Sequence, residues 1–197
     1  MDREAVLKEI KRKSIHTIPG FAAIPIVVWL GKIVAIPIAI LFLVLYTLNE
    51  LYLAGLIRRP IPIATHTFHI MARREEIEKK TFIGTVIFWS ATVLIIAFLP
   101  PEKAAAAIMV SSFGDAAAAI VGKAMGIAKL PYSDRKTLGG FLAMLATSIL
   151  CYIVAGIELS PSLVVAFASM VVESLTPVWY LDELTVPATV AILLALM

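Results

Sequence analysis

The sequence is poor in cysteine and in charge, and both shortages narrow the class of protein. Its only cysteine is Cys151, so an intramolecular disulfide and a cysteine metal cluster are excluded. Charged residues make up 16% of the chain, against about a quarter in a typical soluble domain. Hydrophobic residues make up 60%, and the mean hydropathy is +0.95. This composition is typical of a membrane protein.

Long hydrophobic stretches fill the chain where charge is missing. A helix needs about 20 apolar residues to cross ~30 Å of hydrocarbon. Stretches near that length lie at 15–31, 33–57, 81–99, 104–122, 137–157, 161–181 and 184–197. Pro19 and Pro25 interrupt the first one, which predicts a kinked or partly re-entrant helix. We therefore expect one all-α domain over residues 1–197, a polytopic integral membrane protein with about seven transmembrane helices.

Basic residues are distributed unevenly between these stretches. If the N-terminus is cytoplasmic, all of the 17 lysines and arginines except Lys32 and Lys103 lie on the cytoplasmic side. The positive-inside rule favours this orientation. We expect a multi-pass protein of the cell membrane or an endomembrane, with a basic cytoplasmic face. Such a face attracts lipid headgroups or an anionic soluble substrate. We do not expect nucleic acid as a partner, because no soluble segment is large enough to hold it.

Three isolated acids, Glu50, Asp115 and Glu173, lie inside the hydrophobic stretches. A carboxylate in hydrocarbon costs several kcal/mol, so an acid at such a position is by default a functional candidate. At 1.5 Å per residue, each lies about 10–12 Å from the cytoplasmic end of its stretch. We expect the three to line one cavity that opens to the cytoplasm. The alternative is that each acid is a separately neutralised packing residue.

Small residues surround Asp115 in the sequence. At 100° per residue, Ser111, Asp115, Gly122 and Gly126 share one face of a helix. That face is smooth except for one carboxylate. It suits either close packing of a second helix or the close approach of a ligand. The acid on the face favours a ligand site.

A basic loop with glycines follows at residues 129–140. Thr137 stands where the next helix begins and can cap it, and a helix N-terminus favours anions. With Arg135 and Lys136 adjacent, the loop predicts a phosphate-binding cradle, for which the alternative is an ordinary basic loop. The spacing of glycine and lysine does not match a Walker A loop.

Two further pairs complete the set of candidate residues. Arg12 and His16 are four residues apart, so they share a helix face where the first stretch enters the membrane. Asp182 and Glu183 form an acidic pair in a loop expected on the cytoplasmic side. Carboxylate oxygens near a basic pocket can hold Mg²⁺.

In their order and spacing, these residues resemble the CTP-dependent lipid kinases. That family includes dolichol kinase, phytol kinase and the yeast-type diacylglycerol kinase. Relatives commonly have Asp-Asn where this chain has Asp182-Glu183, and some have arginine in place of Lys123. The resemblance runs from about residue 12 to residue 187. The matching positions are Arg12-Lys13-Ser14-Ile15-His16, Arg74-Glu75-Glu76, Gly114-Asp115, Gly122-Lys123, Lys136-Thr137-Leu138-Gly139, Glu173 and Leu184-Thr185-Val186-Pro187.

The resemblance implies transfer of a phosphoryl group from CTP to the hydroxyl of a membrane lipid alcohol of the polyprenol, dolichol, phytol or diacylglycerol type. Phosphoryl transfer needs positioned phosphates, cations and an oriented hydroxyl. We expect Mg²⁺ or Mn²⁺ as cofactor and an active site that faces the cytoplasm. Together with the residue pattern, this predicts catalytic roles for Asp115, Glu173, His16 and Glu50, and metal binding by Asp115, Glu173 and Asp182. The predicted nucleotide-binding residues are Arg12, Arg74, Gly114, Gly122, Lys123, Arg135, Lys136, Thr137 and Gly139.

Two other classes of protein are compatible with the same residues. A membrane CTP:phospholipid cytidylyltransferase, or CDP-lipid synthase, also combines CTP, Mg²⁺ and lipid, but its product retains the cytidine. A small proton-coupled transporter would use the buried acids without CTP and would need a gradient. In each case the lipid bilayer is itself a partner, and an oligomer is possible.

Overall fold

The computed structural model describes residues 3–125, 128–133, 136–176 and 180–197. Within these ranges the regular secondary structure is helical and no strand is present, which confirms the predicted all-α class. Two π-helical segments, Ala23–Trp29 and Val110–Gly114, follow α2 and α7. The α-helices are α1 (Arg3–His16), α2 (Ile18–Ala22), α3 (Lys32–Leu53), α4 (Pro62–Met71), α5 (Arg74–Lys79), α6 (Ile83–Phe98), α7 (Pro101–Met109), α8 (Asp115–Met125), α9 (Leu138–Val154), α10 (Leu159–Leu175) and α11 (Asp182–Leu196).

The first hydrophobic stretch is divided, as its two prolines predict. Helix α1 ends at His16, and α2 begins at Ile18 with Pro19 in its first turn. A proline is tolerated there because its missing N–H would have no helical partner in any case. The chain then continues as a π-helix that contains Pro25, where a proline removes one hydrogen bond from a helix interior.

Local sequence signals set the ends of several other helices. Gly31 has a φ of 77° directly before α3, a conformation that glycine adopts without steric cost. Pro101 stands in the first turn of α7. The Thr137 side chain accepts a hydrogen bond from the Gly140 N–H at 3.2 Å. The predicted capping role of Thr137 is therefore confirmed.

Helix α7 lies at the centre of the protein. Every side chain from Ala104 to Met109 is buried. Its short alanine side chains allow close approach by the helices that pack on it, which include α2, α6, α9, α11 and the π-helix Ala23–Trp29. Outside this centre, α3 packs on α6, and α9 packs on both α8 and α10. Helix α1 packs against α4 and α8, which brings its charged residues to the end of the bundle.

Many large apolar side chains are exposed on the outer surface, in addition to the apolar core. Trp29, Ile33 and Phe98 are 76%, 90% and 80% exposed, whereas Ser148 and Ser169 are fully buried. Soluble proteins bury such apolar side chains and expose most of their serines. An outer surface rich in large apolar side chains is suited to contact with lipid.

Two continuous helical regions are long and apolar enough to cross a membrane by length and composition. They are Lys32–Leu53 and Pro101–Met125, and the second includes α7, the π-helix that follows it and α8. The apolar helices Ile83–Phe98, Leu138–Val154 and Leu159–Leu175 are shorter. Each of these helical regions overlaps a hydrophobic stretch read from the sequence, although Leu159–Leu175 ends six residues before the stretch 161–181 does.

Candidate functional site

Two cavities of opposite character lie side by side where α1 packs against α4 and α8. The first has a volume of about 460 Å³ and mainly charged and polar side chains around it, and we call it the polar cavity. The second has a volume of about 350 Å³ and mainly apolar walls, and we call it the apolar cavity. Arg12 and Arg73 line both of them. The two cavities are therefore neighbours that share part of their walls.

The polar cavity is surrounded by charged residues from most of the helices at this end of the bundle. Their cationic side chains outnumber the carboxylates, so the cavity is suited to an anion with several charges, such as a polyphosphate. The cationic residues are Lys8, Arg12, Arg73, Arg74, Lys123 and Lys136, and the acidic ones are Glu9, Asp115, Glu173 and Asp182. Most of the residues predicted for nucleotide or metal binding are in this set.

Helix α8 contributes a smooth face with one acid to the polar cavity. Asp115, Ala118, Ala119 and Gly122 all line it. Their spacing of three and four residues places them on one side of a helix. A Cβ atom added at Gly122 would lie 3.0 Å from Thr137 Oγ1, so the glycine allows the start of α9 to approach closely. Asp115 and Gly122 therefore share a cavity wall, as their spacing predicts.

The same spacing argument fails for Ser111. This residue lies in the π-helix Val110–Gly114, which has more residues per turn than an α-helix and rotates the face that precedes it. Ser111 is buried and is not among the residues that line either cavity. Gly126, predicted for the same face, lies outside the described residues.

The other predicted glycines pack helices together. A Cβ atom at Gly114 would lie 2.5 Å from Met144 Sδ, so Gly114 lets α9 pack closely on the chain before α8. Gly139 is in ordinary contact range of Met125. Neither glycine is among the cavity-lining residues, so the structure does not bring them to the predicted nucleotide site. Gly140, which was not predicted, lines the polar cavity and approaches the α8 backbone instead.

Asp115 is paired with a buried lysine. Lys13 Nζ donates to Asp115 Oδ2, and the Lys13 side chain is only 1% exposed. Sequence reasoning gave Lys13 no role of its own. A signal was nevertheless present, because Glu9, Arg12, Lys13 and His16 have the spacing of one helix face. A charged face on a helix that enters a membrane protein indicates a polar interior.

Glu9 connects two cations of the polar cavity. Its carboxylate accepts hydrogen bonds from Arg12 and, at 2.5 Å, from Lys123 Nζ. Burial raises the pKa of Glu9, but these hydrogen bonds and the positive charge of Arg12 outweigh burial and lower the pKa to about 2. Glu9 is therefore ionised at neutral pH and fixes the relative positions of α1 and α8. It too was missed by sequence reasoning.

Lys136 holds two carboxylates from different helices. Its Nζ atom donates to Glu173 on α10 and, at 3.2 Å, to Asp182 Oδ2 at the start of α11. Burial raises the pKa of Asp182 to about 7, although the charge of Lys136 acts in the opposite direction. Asp182 Oδ1 is buried and has no hydrogen-bond partner in the described part of the chain. The predicted metal ligands Asp115, Glu173 and Asp182 line one cavity, but among the described residues they are not a group whose ligand atoms lie within 4.8 Å of one another.

His16 lies at the boundary between the two cavities. It lines the apolar cavity, and its Nε2 atom is 3.1 Å from Asp115 Oδ2 in the polar cavity. Its Nδ1 atom is 4.0 Å from Glu183 Oε1. One ligand atom from each of these three residues lies within 4.8 Å of the others, which is a spacing that can hold a metal ion. Because Mg²⁺ prefers oxygen ligands, the imidazole makes this group less suited to Mg²⁺ than a set of carboxylates.

The structure does not bring Glu50 to this site. Its carboxylate accepts hydrogen bonds from the Thr81 hydroxyl at 2.8 Å and from the Phe82 N–H, just before α6 begins. The first N–H groups of a helix have no partner within the helix, so an acceptor there stabilises it. Glu50 is not among the residues that line either cavity. The expectation that Glu50 shares a cavity with Asp115 and Glu173 is therefore wrong, because Glu50 anchors α6 to α3.

Two of the remaining predicted residues, Arg74 and Lys123, lie at the edge of the polar cavity. The Arg74 side chain is 90% exposed, and its Nε atom donates to Glu78 at 2.8 Å. Lys123 is half exposed. Both are placed to meet an anion as it enters. Arg135, predicted beside Lys136, lies outside the described residues.

No protein-family model matches the chain, and no curated protein or solved structure matches it. A functional proposal for this protein therefore rests on the pattern of its residues and on the geometry of the two cavities. The most informative part of that geometry is the contact between His16 and Asp115, which joins the cavities.

Proposed function

We propose that this protein is a membrane kinase that transfers the terminal phosphoryl group of CTP to the hydroxyl of a lipid alcohol. The observation that carries this proposal is that a basic polar cavity and an apolar cavity meet at His16 and Asp115. A nucleotide is a soluble polyanion, whereas a lipid alcohol is apolar except at its hydroxyl. An enzyme that joins the two has to hold each in its own surroundings with the reacting atoms in contact.

The cations of the polar cavity would bind the phosphates of the nucleotide. Arg12 and Lys123 are held in place by Glu9, and Lys136 precedes the N-terminus of α9, which itself favours anions. Phosphoryl transfer relies mainly on such positioning and on neutralisation of the phosphate charge. The preference for cytosine over other bases comes from the resemblance to the CTP-dependent lipid kinases alone.

The carboxylates of the polar cavity supply the oxygen ligands that a divalent cation prefers. Asp115, Glu173 and Asp182 line this cavity, and the buried Asp182 Oδ1 has no hydrogen-bond partner among the described residues. Their ligand atoms do not form a group within 4.8 Å of one another, so to hold Mg²⁺ or Mn²⁺ the three residues would have to draw together. When bound, the cation supplies positive charge to the transferred phosphoryl group and its leaving group.

His16 is placed to accept the proton of the lipid hydroxyl. It lines the apolar cavity, and its Nε2 atom is 3.1 Å from Asp115 Oδ2, so Nδ1 is the atom that would take the proton. As the hydroxyl oxygen bonds to the terminal phosphorus of CTP, its proton passes to the imidazole and the bond from that phosphorus to the oxygen of the leaving CDP breaks. The charge of Asp115 would stabilise the imidazolium that forms, although the Nε2 atom of His16 makes no hydrogen bond among the described residues.

The proposal places the protein in the membrane with seven spans, a cytoplasmic N-terminus and the polar cavity open to the cytoplasm. The basic loops support this orientation through the positive-inside rule. The apolar outer surface supports burial in lipid. In this orientation a nucleotide reaches the polar cavity from the cytoplasm, while the lipid alcohol stays in the bilayer.

The deciding experiment uses detergent-purified protein, Mg²⁺ and a panel of lipid alcohols, with CTP labelled either at the γ-phosphate or in the cytidine. A kinase transfers the γ-label to lipid and leaves the cytidine label in solution. Transfer of the cytidine label would instead identify a cytidylyltransferase. If neither label reaches any lipid with folded protein, the kinase proposal fails, and transport in sealed vesicles without CTP becomes the next assay.

A further inference from the structure

We infer that the ammonium group of Lys136 holds the place of a divalent cation between Glu173 and Asp182, and that a cation binds there only when Lys136 moves away. This inference rests on the proposed function for the role of the metal, whereas the exchange itself concerns three side chains of this chain. It makes Lys136 a competitor of the metal as well as a ligand of phosphate.

A single nitrogen atom joins acids from two helices. Lys136 Nζ donates to Glu173 Oε1 on α10 and, at 3.2 Å, to Asp182 Oδ2 at the start of α11. The ammonium group of a lysine is a compact point charge. Carboxylate oxygens are also the ligands that Mg²⁺ and Mn²⁺ prefer. The structure therefore has two suitable ligands gathered around one positive charge.

The charges of these three side chains do not balance when both acids are ionised. Lys136 brings one positive charge to two carboxylates. The Glu173 side chain is only 6% exposed, and Asp182 Oδ1 is buried without a hydrogen-bond partner in the described part of the chain. A buried charge that is not fully compensated is costly. A doubly charged cation in place of the ammonium would neutralise both acids.

Lys136 is placed so that it can leave these acids. Its side chain is 22% exposed and lines the polar cavity, and the flexible stem of a lysine allows the ammonium to turn toward that cavity. Lys13, the partner of Asp115, is 1% exposed and is not among the residues that line either cavity. The exchange is therefore expected at Glu173 and Asp182, and not at Asp115.

The exchange couples the metal to the nucleotide. Lys136 has one positive charge to share between the carboxylates and a phosphate group. A cation bound at the carboxylates leaves this charge to the phosphate, and a phosphate that attracts the ammonium leaves the carboxylates to the cation. Metal and nucleotide therefore strengthen the binding of each other, because such coupling between two sites is reciprocal.

The first test measures Mn²⁺ binding to detergent-purified protein by electron paramagnetic resonance, without nucleotide. Lys136→Met keeps the length of the side chain and removes its charge. It should bind Mn²⁺ about tenfold more tightly than the unchanged protein, which is the size of a typical coupling between two sites. Lys129→Met, at an exposed position of the same loop, is the matched control and should leave the affinity as it is. No gain in Lys136→Met, or an equal gain in both variants, would overturn the inference.

Two neighbouring acids locate the cation. When it is added to Lys136→Met, Asp182→Asn should abolish the gain in Mn²⁺ affinity, because it removes a ligand. Glu183→Gln should preserve the gain, because Glu183 Oε1 lies near His16 Nδ1, at 4.0 Å, and not at Lys136. The opposite result would place the cation at His16, Asp115 and Glu183 and overturn the inference.

A measurement on the unchanged protein covers the case in which Lys136→Met does not fold. Reductive methylation followed by mass spectrometry reports how accessible each lysine amine is. Mg²⁺ should raise the methylation of Lys136 several-fold and leave that of Lys129 as it is. Methylation of Lys136 that Mg²⁺ leaves unchanged or lowers would overturn the inference.

The same measurement separates this inference from the kinase proposal. In the presence of Mg²⁺, CTP should lower the methylation of Lys136 again, because the ammonium then contacts phosphate. If Mg²⁺ raises the methylation but CTP has no effect and no label from CTP reaches a lipid, the kinase proposal fails and the inference about the cation holds.

Discussion

His16 and Asp115 are in contact but face different cavities. The Nε2 atom of His16 lies 3.1 Å from Asp115 Oδ2, while His16 lines the apolar cavity and Asp115 lines the polar one. Lys13 pairs with the same carboxylate and neutralises it in the interior. In the proposed function this contact joins the site of a soluble donor to that of a lipid acceptor, and it motivates the first prediction.

Asp115→Asn should lower kcat by about 100-fold or more, because it removes the charge that supports His16 in the proposed mechanism. The change keeps the shape of the side chain but leaves the buried Lys13 without its carboxylate, so stability should fall as well, and kcat is compared per folded molecule. The measurement is transfer of γ-labelled phosphate to a lipid alcohol, with folding checked by gel filtration. If the folded Asp115→Asn protein has normal turnover, Asp115 has a structural role only, as the buried partner of Lys13.

Glu50→Gln should affect stability and leave kcat nearly as it is, in contrast to Asp115→Asn. Both changes replace a carboxylate by an amide inside a hydrophobic stretch. The Glu50 carboxylate anchors Thr81 and Phe82 at the start of α6, so its loss should lower the free energy of unfolding by about 1–3 kcal/mol. Activity per folded molecule should stay within a few-fold of that of the unchanged protein. Thermal unfolding in detergent and the same kinase assay measure the two effects. A 100-fold loss of kcat with full stability would place Glu50 in the chemistry.

Lys136→Ala should raise the KM for CTP by about tenfold or more, which is the size of effect expected when a charge-assisted contact to phosphate is lost. The residue lines the polar cavity beside the capped start of α9. Lys129→Ala, an exposed change in the same loop, is the matched control and should have a smaller effect. Equal effects of the two changes would indicate diffuse electrostatic attraction and no defined cradle.

Glu9 should make stability depend on pH in the acid range. Its pKa is lowered to about 2 in the folded protein, from an ordinary value of 4.5. The stabilisation is therefore complete above pH 4.5 and is lost as the pH falls toward 2, by up to about 3 kcal/mol in total. The difference in unfolding free energy between the unchanged protein and Glu9→Gln should narrow over that interval.

Chemical unfolding at a series of pH values between 7 and 2 measures this difference. Glu75→Gln, at an exposed position, is the control for the change of charge. A difference that stays constant down to pH 2 would show that the contacts of Glu9 with Arg12 and Lys123 do not contribute to stability.

Cysteine labelling tests the orientation in the membrane. After replacement of Cys151, single cysteines near Met71 and Ser133 should react with an impermeant reagent only from the cytoplasmic side. Cysteines near Lys103 and Glu158 should react only from the other side. The reason is the concentration of basic residues in the segments that contain Met71 and Ser133. Labelling of the Ser133 segment from outside would separate Asp115 from cytoplasmic CTP and contradict the proposed mechanism.

Features that depend on nearby residues could be predicted from the sequence. The hydrophobic stretches predicted the all-α class and the approximate helix boundaries, because apolar length and flanking prolines act locally. Thr137 was recognised as a cap from its position alone. The spacing of Asp115 and Gly122 placed both on one face, because the chain between them is a regular α-helix.

Only the tertiary structure decided which distant residues meet. Lys13 and Asp115 are 102 positions apart, and no local pattern identifies one as the partner of the other. Glu50 and Glu173 look alike in the sequence, yet packing directs one to the start of α6 and the other to the polar cavity. The sequence by itself determined where the long apolar helices form, because apolar length is a local property, but α4 and α5 lie outside the hydrophobic stretches read from it. Which faces enclose a cavity depended on how the helices pack, since ion pairs and cavities arise from contacts between separate helices.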